Sequence, residues 1–290
     1  MLPSPKLRVL TAFPYADTSN TAWLARNKDR VELLLDSGAF TAWKLGKPVE
    51  LDDYCRFIEA CPATPWRYFM LDVIGDPAAT RANYETMRAR GFNPVPIYTR
   101  GEDPRALDEY FETSDVVGLG GLAGTGQTPY GYLKWLWPQL AGRQVHILGF
   151  SSMPWMKIFR PYSCDSSSWE AGGRYGRAAV YLGNGRFVQV GKADFLKRPA
   201  PEIMDAIARM GLDPYALQRG EAWHGGVSVA RWLGASSWVA AQLDISQHLG
   251  TKFWLAYTTQ VAAQIVLGAH ERQMTGQWGE YAPERVWRTS

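Results

Sequence analysis

Cysteine is scarce in this chain, and long apolar runs are missing. Cys55, Cys61 and Cys164 are its three cysteines. One is left over after any pairing and no two form a Cys-x-x-Cys, which argues against a disulfide scaffold or a four-cysteine zinc module. No uninterrupted apolar segment approaches the roughly 18–20 residues of a membrane span. The opening stretch MLPSPKLRVLTAFPYADTSN lacks the charged segment and the apolar run of about 7–15 residues that make a signal peptide. The expectation is a soluble, cytoplasmic protein with no membrane partner.

Several catalytic signatures are absent as well. The four histidines (146, 224, 248 and 270) are scattered, and none has metal-ligand spacing to a cysteine, so they read as surface or core residues. Ser166-Ser167-Ser168 has no Gly-x-Ser-x-Gly elbow to raise a nucleophile. The glycine-rich run from Gly118 to Gly124 lacks Gly-Lys-Ser/Thr and does not fit the dinucleotide pattern; its glycines more simply let the backbone approach a flat ligand.

What remains is an ordinary globular composition, 46% hydrophobic and 20% charged, of a length that one large core can hold. The chain has no repeats and no long linker, so a single domain over 1–290 is the economical division. Its net charge of +3 is unevenly spread: Ser151 to Ala200 carries eight Lys or Arg against three acids. A basic block on an otherwise near-neutral chain suits a polyanion partner, though a solvated face would look the same.

Apolar runs alternate with amphipathic stretches over two-thirds of the chain. LRVLTAF (7–13), VELLLDS (31–37), RYFMLDV (67–73), PVPIYT (94–99), DVVGLG (115–120) and VHILGF (145–150) read as strands buried on both faces. The stretches LDDYCRFIEAC, DPAATRANYETMRARG, DPRALDEYFETS and YGYLKWLWPQLAG between them read as helices. Two of these open on Asp76-Pro77 and Asp103-Pro104, a cap followed by proline. Repeated strand–helix units imply a parallel sheet, doubly wound or closed as an eight-stranded barrel. Asn184-Gly185 between β-rich runs predicts a hairpin at about 178–191, and about 200–275 reads as helical, including KFWLAYTTQVAAQIVLGAHERQ.

In a parallel barrel, reactive groups stand at the C-terminal ends of strands. Asp36-Ser37-Gly38-Ala39-Phe40, Asp72, Gly118 to Gly124, Leu148-Gly149-Phe150 and Cys164-Asp165 fall at such ends. Asp36 and Asp72 come straight off apolar runs, ahead of any helix-cap position. Each can still be a simple cap, the commoner fate of an aspartate there.

This ordered set resembles the tRNA-guanine transglycosylases, (β/α)8 barrels that exchange a guanine in a polynucleotide for a 7-deazaguanine. Asp36-Ser37-Gly38-Ala39-Phe40 is similar to the family's Asp-Ser-Gly-Gly-aromatic motif, with Ala39 for one Gly. Gly120-Gly121-Leu122-Ala123 is similar to its base-contacting segment, and His146-Ile147-Leu148-Gly149 to the stretch before its nucleophile. Gly172-Gly173-Arg174-Tyr175-Gly176, Val190-Gly191-Lys192-Ala193 and, in the last predicted helix, Phe253-Trp254 also track it. The resemblance implies Asp165 as nucleophile and Asp36 as acid/base. It implies Asp72, Phe40, Ser37, Thr99, Gly120, Gly121 and Leu148 around the base, and Lys157, Arg160, Arg174 and Arg177 on the nucleic acid.

The departures shape the expectation further. The family's cysteine-rich zinc insertion is missing, so no zinc lobe and no metal or organic cofactor is expected. Thr99 or Arg100 stands where a glutamine reads the base, and Ala171 replaces the first of two anticodon-reading arginines. These changes point to the DNA-modifying branch, found in bacteriophages and bacterial modification islands, which inserts 7-deazaguanines such as preQ0 into DNA; a phage-encoded chain would work in host cytoplasm. Transfer RNA is the runner-up polymer, and a homodimer is admitted but not required. A barrel glycoside hydrolase and a non-catalytic nucleic-acid-binding relative are the competing readings.

Overall fold

The computed structural model describes residues 5–122, 129–170, 176–191, 193–194, 197, 199–215 and 229–283. Contacts divide the chain into two compact units, Arg8–Asp165 and Met1–Leu7 with Ser166–Ser290.

The first unit is a run of strand–helix repeats. Its elements are β1 (Leu7–Ala12), α1 (Thr18–Asn27), β2 (Val31–Asp36), α2 (Ala39–Lys44), α3 (Leu51–Ala60), β3 (Arg67–Tyr68) and α4 (Pro77–Ala89). There follow β4 (Ile97–Thr99), α5 (Pro104–Thr113), β5 (Val116–Gly120), α6 (Pro129–Leu136), β6 (Gln144–Ile147), α7 (Met153–Phe159) and β7 (Ser163–Ser166). The helices start where the sequence offers a cap. Asp76 accepts from Ala79 N at 2.9 Å and Asp103 from Arg105 N at 2.9 Å, each ahead of a proline at the first helical position; such an oxygen satisfies an amide that the helix cannot. α1 begins the same way, on Asp17 accepting from Asn20 N.

The second unit contains an antiparallel hairpin, β8 (Arg177–Gly183) and β9 (Arg186–Gly191), joined at Asn184-Gly185. It continues with α8 (Pro201–Arg209), α9 (Val229–Leu249), β10 (Lys252–Ala256) and α10 (Gln260–Thr275). Its core is aromatic: Phe187 lies against Trp238 with ring centroids 4.4 Å apart, Trp238 stacks on Phe253 at 5.1 Å, and buried Trp169 donates its indole N–H to Ala256 O at 2.8 Å.

Within the first unit the parallel strands neighbour one another in two stretches, β3-β2-β1 and β7-β6-β5-β4. The end strands β3 and β4 are themselves joined, because Phe69 beside β3 bridges Val95 beside β4 in parallel. Followed through that bridge, the strands neighbour one another in chain order, the TIM-like arrangement.

One segment departs from the sequence reading. Lys252–Ala256 is a strand, so Phe253 and Trp254 stand in β10 and not in a helix. The run KFWLA is short, flanked by Gly250 and by Thr258-Thr259, and its middle three residues, Phe253, Trp254 and Leu255, are buried. Bulky aromatics favour such a doubly covered strand. The helix starts later, where Thr259 caps it by accepting from Ala262 N. The third strand is also shorter than its apolar run: after Met70 N bonds Val95 O, the chain turns away and Val73 N bonds Thr80 Oγ1.

Candidate functional site

Parallel pairing decides where the polar residues emerge. β2 pairs β3 (Leu34 opposite Arg67), the Phe69–Val95 bridge leads to β4, and β4, β5, β6 and β7 pair in succession, all parallel. Parallel strands present their C-terminal ends at one edge. Asp36 closes β2, Thr99 closes β4, Gly120 closes β5, Leu148 follows β6, and Asp165 lies near the end of β7, with Asp72 on the segment after β3. All of them belong to the unit Arg8–Asp165.

Electrostatics show which of these groups feel one another. Asp36 is half-buried, and its carboxyl is pushed from 3.8 up to about 7, first by burial, then by the negative charges of Asp72 and Asp165. Backbone N–H groups at Gly38 and Ser37 oppose the rise without cancelling it. Asp72 is also raised, chiefly by burial, with its own backbone N–H and the Ser37 hydroxyl pulling the other way. A carboxylic acid with its midpoint near neutrality can both give and take a proton there.

The turn after β2 is built for this placement. Fully buried Ser37 donates to Asp72 Oδ1 at 3.2 Å and accepts from Ala39 N at 3.3 Å. Gly38 has φ +73, and a Cβ there would lie 2.2 Å from Pro14 Cδ; no other residue fits. Beneath the turn, buried Tyr54 of α3 donates to Phe69 O at 2.8 Å. Burial raises its pKa above its ordinary value, and the charges of Asp36 and Asp72 add to the rise.

Asp165 is buried and anchored through one oxygen. Its Oδ1 accepts from Gly149 N at 2.9 Å and lies 3.1 Å from His146 Nε2, while His146 Nδ1 lies 2.9 Å from Ser163 Oγ. Sequence reasoning gave His146 no role. The available signal was a histidine inside the apolar run of β6, followed by Ser163 and Asp165 two apart on the next strand, hence on one face.

The remaining candidates line the same edge or lie apart from it. Thr99 pairs Gly120 across β4 and β5, and its N–H donates to Glu102 Oε2 at 3.0 Å. A Cβ on Gly120 would come within 2.9 Å of Ile97 Cγ2, and one on Gly121 within 3.0 Å of Thr99 Cγ2, so backbone is all that either position exposes. Half-buried Leu148 donates its N–H to Leu119 O at 3.2 Å. Phe40 on α2 is exposed, stacked against Trp43 at 6.1 Å, with Lys44 Nζ 4.2 Å above its ring. Arg100 lies over the Tyr132 ring. Lys157 on α7 and Arg160 at its C-terminal cap are exposed, as is Arg177 at the start of β8. Arg174 lies outside the described residues, together with Ala123, Gly124, Ala171 to Gly173, Tyr175 and Lys192. Among the described residues no group of three or more His, Cys, Asp or Glu is arranged to hold a metal ion.

The grouping can support two-carboxylate chemistry, with one tuned acid/base and one anchored carboxylate whose second oxygen takes neither of those bonds. No protein-family model matches the chain, and no curated protein matches it significantly.

Proposed function

We propose that this chain is a base-exchanging transglycosylase, replacing guanine in DNA with a 7-deazaguanine such as preQ0 through a covalent sugar–aspartate intermediate. The observation that carries the reading is the Asp36 carboxyl, held at about 7 by burial and by the charges of Asp72 and Asp165. Exchange needs one group that is an acid in the first half and a base in the second, and a midpoint near neutrality suits both. The ordered motifs on which the family resemblance rests supply the polymer and the base.

Asp165 attacks C1′ of the target nucleotide. The Asp165–C1′ bond forms as the C1′–guanine bond breaks, and the departing guanine takes the Asp36 proton. The incoming base then gives its proton to Asp36 and attacks C1′, releasing Asp165. Two displacements at one carbon retain configuration, as in retaining glycosidases. Asp72 accepts from the N1–H and 2-amino edge of guanine, Gly120 and Gly121 offer backbone groups to the base, and Phe40 stacks. The target base leaves the helical stack at a cost of a few kcal/mol, which stacking and the cations Lys157, Arg160, Arg174 and Arg177 offset. A tuned carboxyl among acidic neighbours is characteristic of active sites, which favours catalysis over a purely binding relative.

Labelled guanine incubated with the protein and, separately, DNA and tRNA tests the reading. Label entering DNA supports it; label entering tRNA alone moves the activity to the other polymer; label entering neither defeats it.

A further inference from the structure

His146 stands between two residues of the neighbouring strand. β6 and β7 pair in parallel with His146 opposite Ser163, and Asp165, two residues on, shares the Ser163 face. The result is a Ser163–His146–Asp165 chain with links of 2.9 and 3.1 Å. Such a chain is the usual apparatus of a serine nucleophile, but exposure reverses its direction. Ser163 is completely buried, the His146 side chain is 2% exposed and that of Asp165 13%. A substrate can meet only the aspartate end.

We propose that His146 is the positioning residue of Asp165, holding Oδ1 together with the Gly149 N–H so that Oδ2 faces the sugar. The inference rests on the transglycosylase reading. An ionised carboxylate only accepts hydrogen bonds, so the hydrogen between the two side chains belongs to His146 Nε2. Ser163 fixes the ring from behind, and the Phe69 ring packs against it with centroids 4.9 Å apart. When Oδ2 bonds C1′, Oδ1 becomes the carbonyl oxygen of the ester and keeps both N–H donors. The same donors accept charge back onto the carboxylate when the incoming base breaks the Oδ2–C1′ bond.

The test is single-turnover exchange of labelled guanine into DNA by the full chain. His146→Phe keeps a flat ring without N–H, and His146→Gln returns an amide N–H near Nε2. Loss of a partner that orients a metal-bound ligand costs about 10–100-fold, and by analogy His146→Phe should slow adduct formation by about that factor at saturating guanine while the guanine KM stays within about twofold. His146→Gln should recover most of the rate. Full activity in His146→Phe, equal losses in both folded variants, or a loss confined to KM overturns the inference. If His146→Phe does not fold, Ser163→Ala must lower kcat severalfold at constant KM, and an unchanged kcat overturns it. If the wild type exchanges no label with any polymer, the transglycosylase reading has failed and the geometry is judged alone. The 15N spectrum must then show a His146 Nε2–H that shifts in Asp165→Ala, and an unmoved resonance overturns it.

Discussion

The Ser37 hydroxyl donates to Asp72 Oδ1 across 3.2 Å and accepts the Ala39 N–H. One buried side chain therefore ties the end of β2 to the segment after β3 and sets the orientation of a carboxylate that the account assigns to the guanine edge. The neighbouring residue, Asp36, is the acid/base of the same account.

Ser37→Ala removes a donor that favours the charged form of Asp72, so that carboxyl moves further up. A hydrogen bond of this kind is worth about 0.5–1.5 kcal/mol. Guanine KM should rise about 2–10-fold, with kcat at saturation within about twofold. A collapse of kcat at unchanged KM would place Ser37 elsewhere in the mechanism.

On the proposed mechanism Asp36 sets the pH dependence. Its proton would be needed in the first displacement and its carboxylate in the second, so kcat should peak close to pH 7, where the group is half-titrated. A profile flat from about pH 6 to 8 contradicts the assignment. Stability must follow with the opposite economy of charge. The folded carboxyl lies above its ordinary 3.8, raised first by burial, so its contribution favours folding below that value and is lost as pH rises through about 7. Asp36→Asn should be inactive, yet more stable than the wild type at pH 8 by on the order of 1–3 kcal/mol, with the gap closing toward pH 4. Urea titrations at the two pH values measure it.

Gly38→Ala places a Cβ 2.2 Å from Pro14 Cδ at φ +73, whereas Gly46→Ala, at φ +63, meets nothing within 4 Å. Both incur backbone strain of about 1 kcal/mol or more, but only Gly38→Ala adds a clash. Thermal unfolding should separate them by at least about 1 kcal/mol, and only Gly38→Ala should lose exchange activity. Equal effects would mean that the turn after β2 yields freely.

Local pattern carried much of this fold, and its limits are physical. Asp76-Pro77 and Asp103-Pro104 announce their helices because capping acts within three residues. KFWLA misled because four apolar residues after Lys252 fit a buried strand and a helix equally; tertiary packing decides between them. The helices α2 and α7 are too short for a periodic face, and α1, as long as α3, is only weakly amphipathic, so their residues drew no helix assignment. Asp36 and Asp72 were legible as polar residues ending apolar runs. The Asp36 shift was not, since it depends first on burial in the folded chain and then on charges 36 and 129 positions away. His146 was missed for the same reason: only the β6–β7 register puts it opposite Ser163.

The basic segment tests the polymer. Phosphate contacts position a nucleic acid without reading its sequence. Replacing Arg174 and Arg177 with Ala should weaken DNA binding across all sequences and flatten the salt dependence by up to about two units of slope. An unchanged slope would make those cations a solvated face.

The central claim is covalent catalysis by Asp165, and trapping the intermediate tests it most directly. Wild-type protein and guanine-containing DNA, quenched in denaturant, should give a protein–DNA adduct that maps to Asp165 and discharges on addition of free guanine. Asp165→Asn, which keeps the shape but not the nucleophile, should bind DNA and form none. Exchange by the wild type without any adduct, or an adduct that persists in Asp165→Asn, would contradict the account.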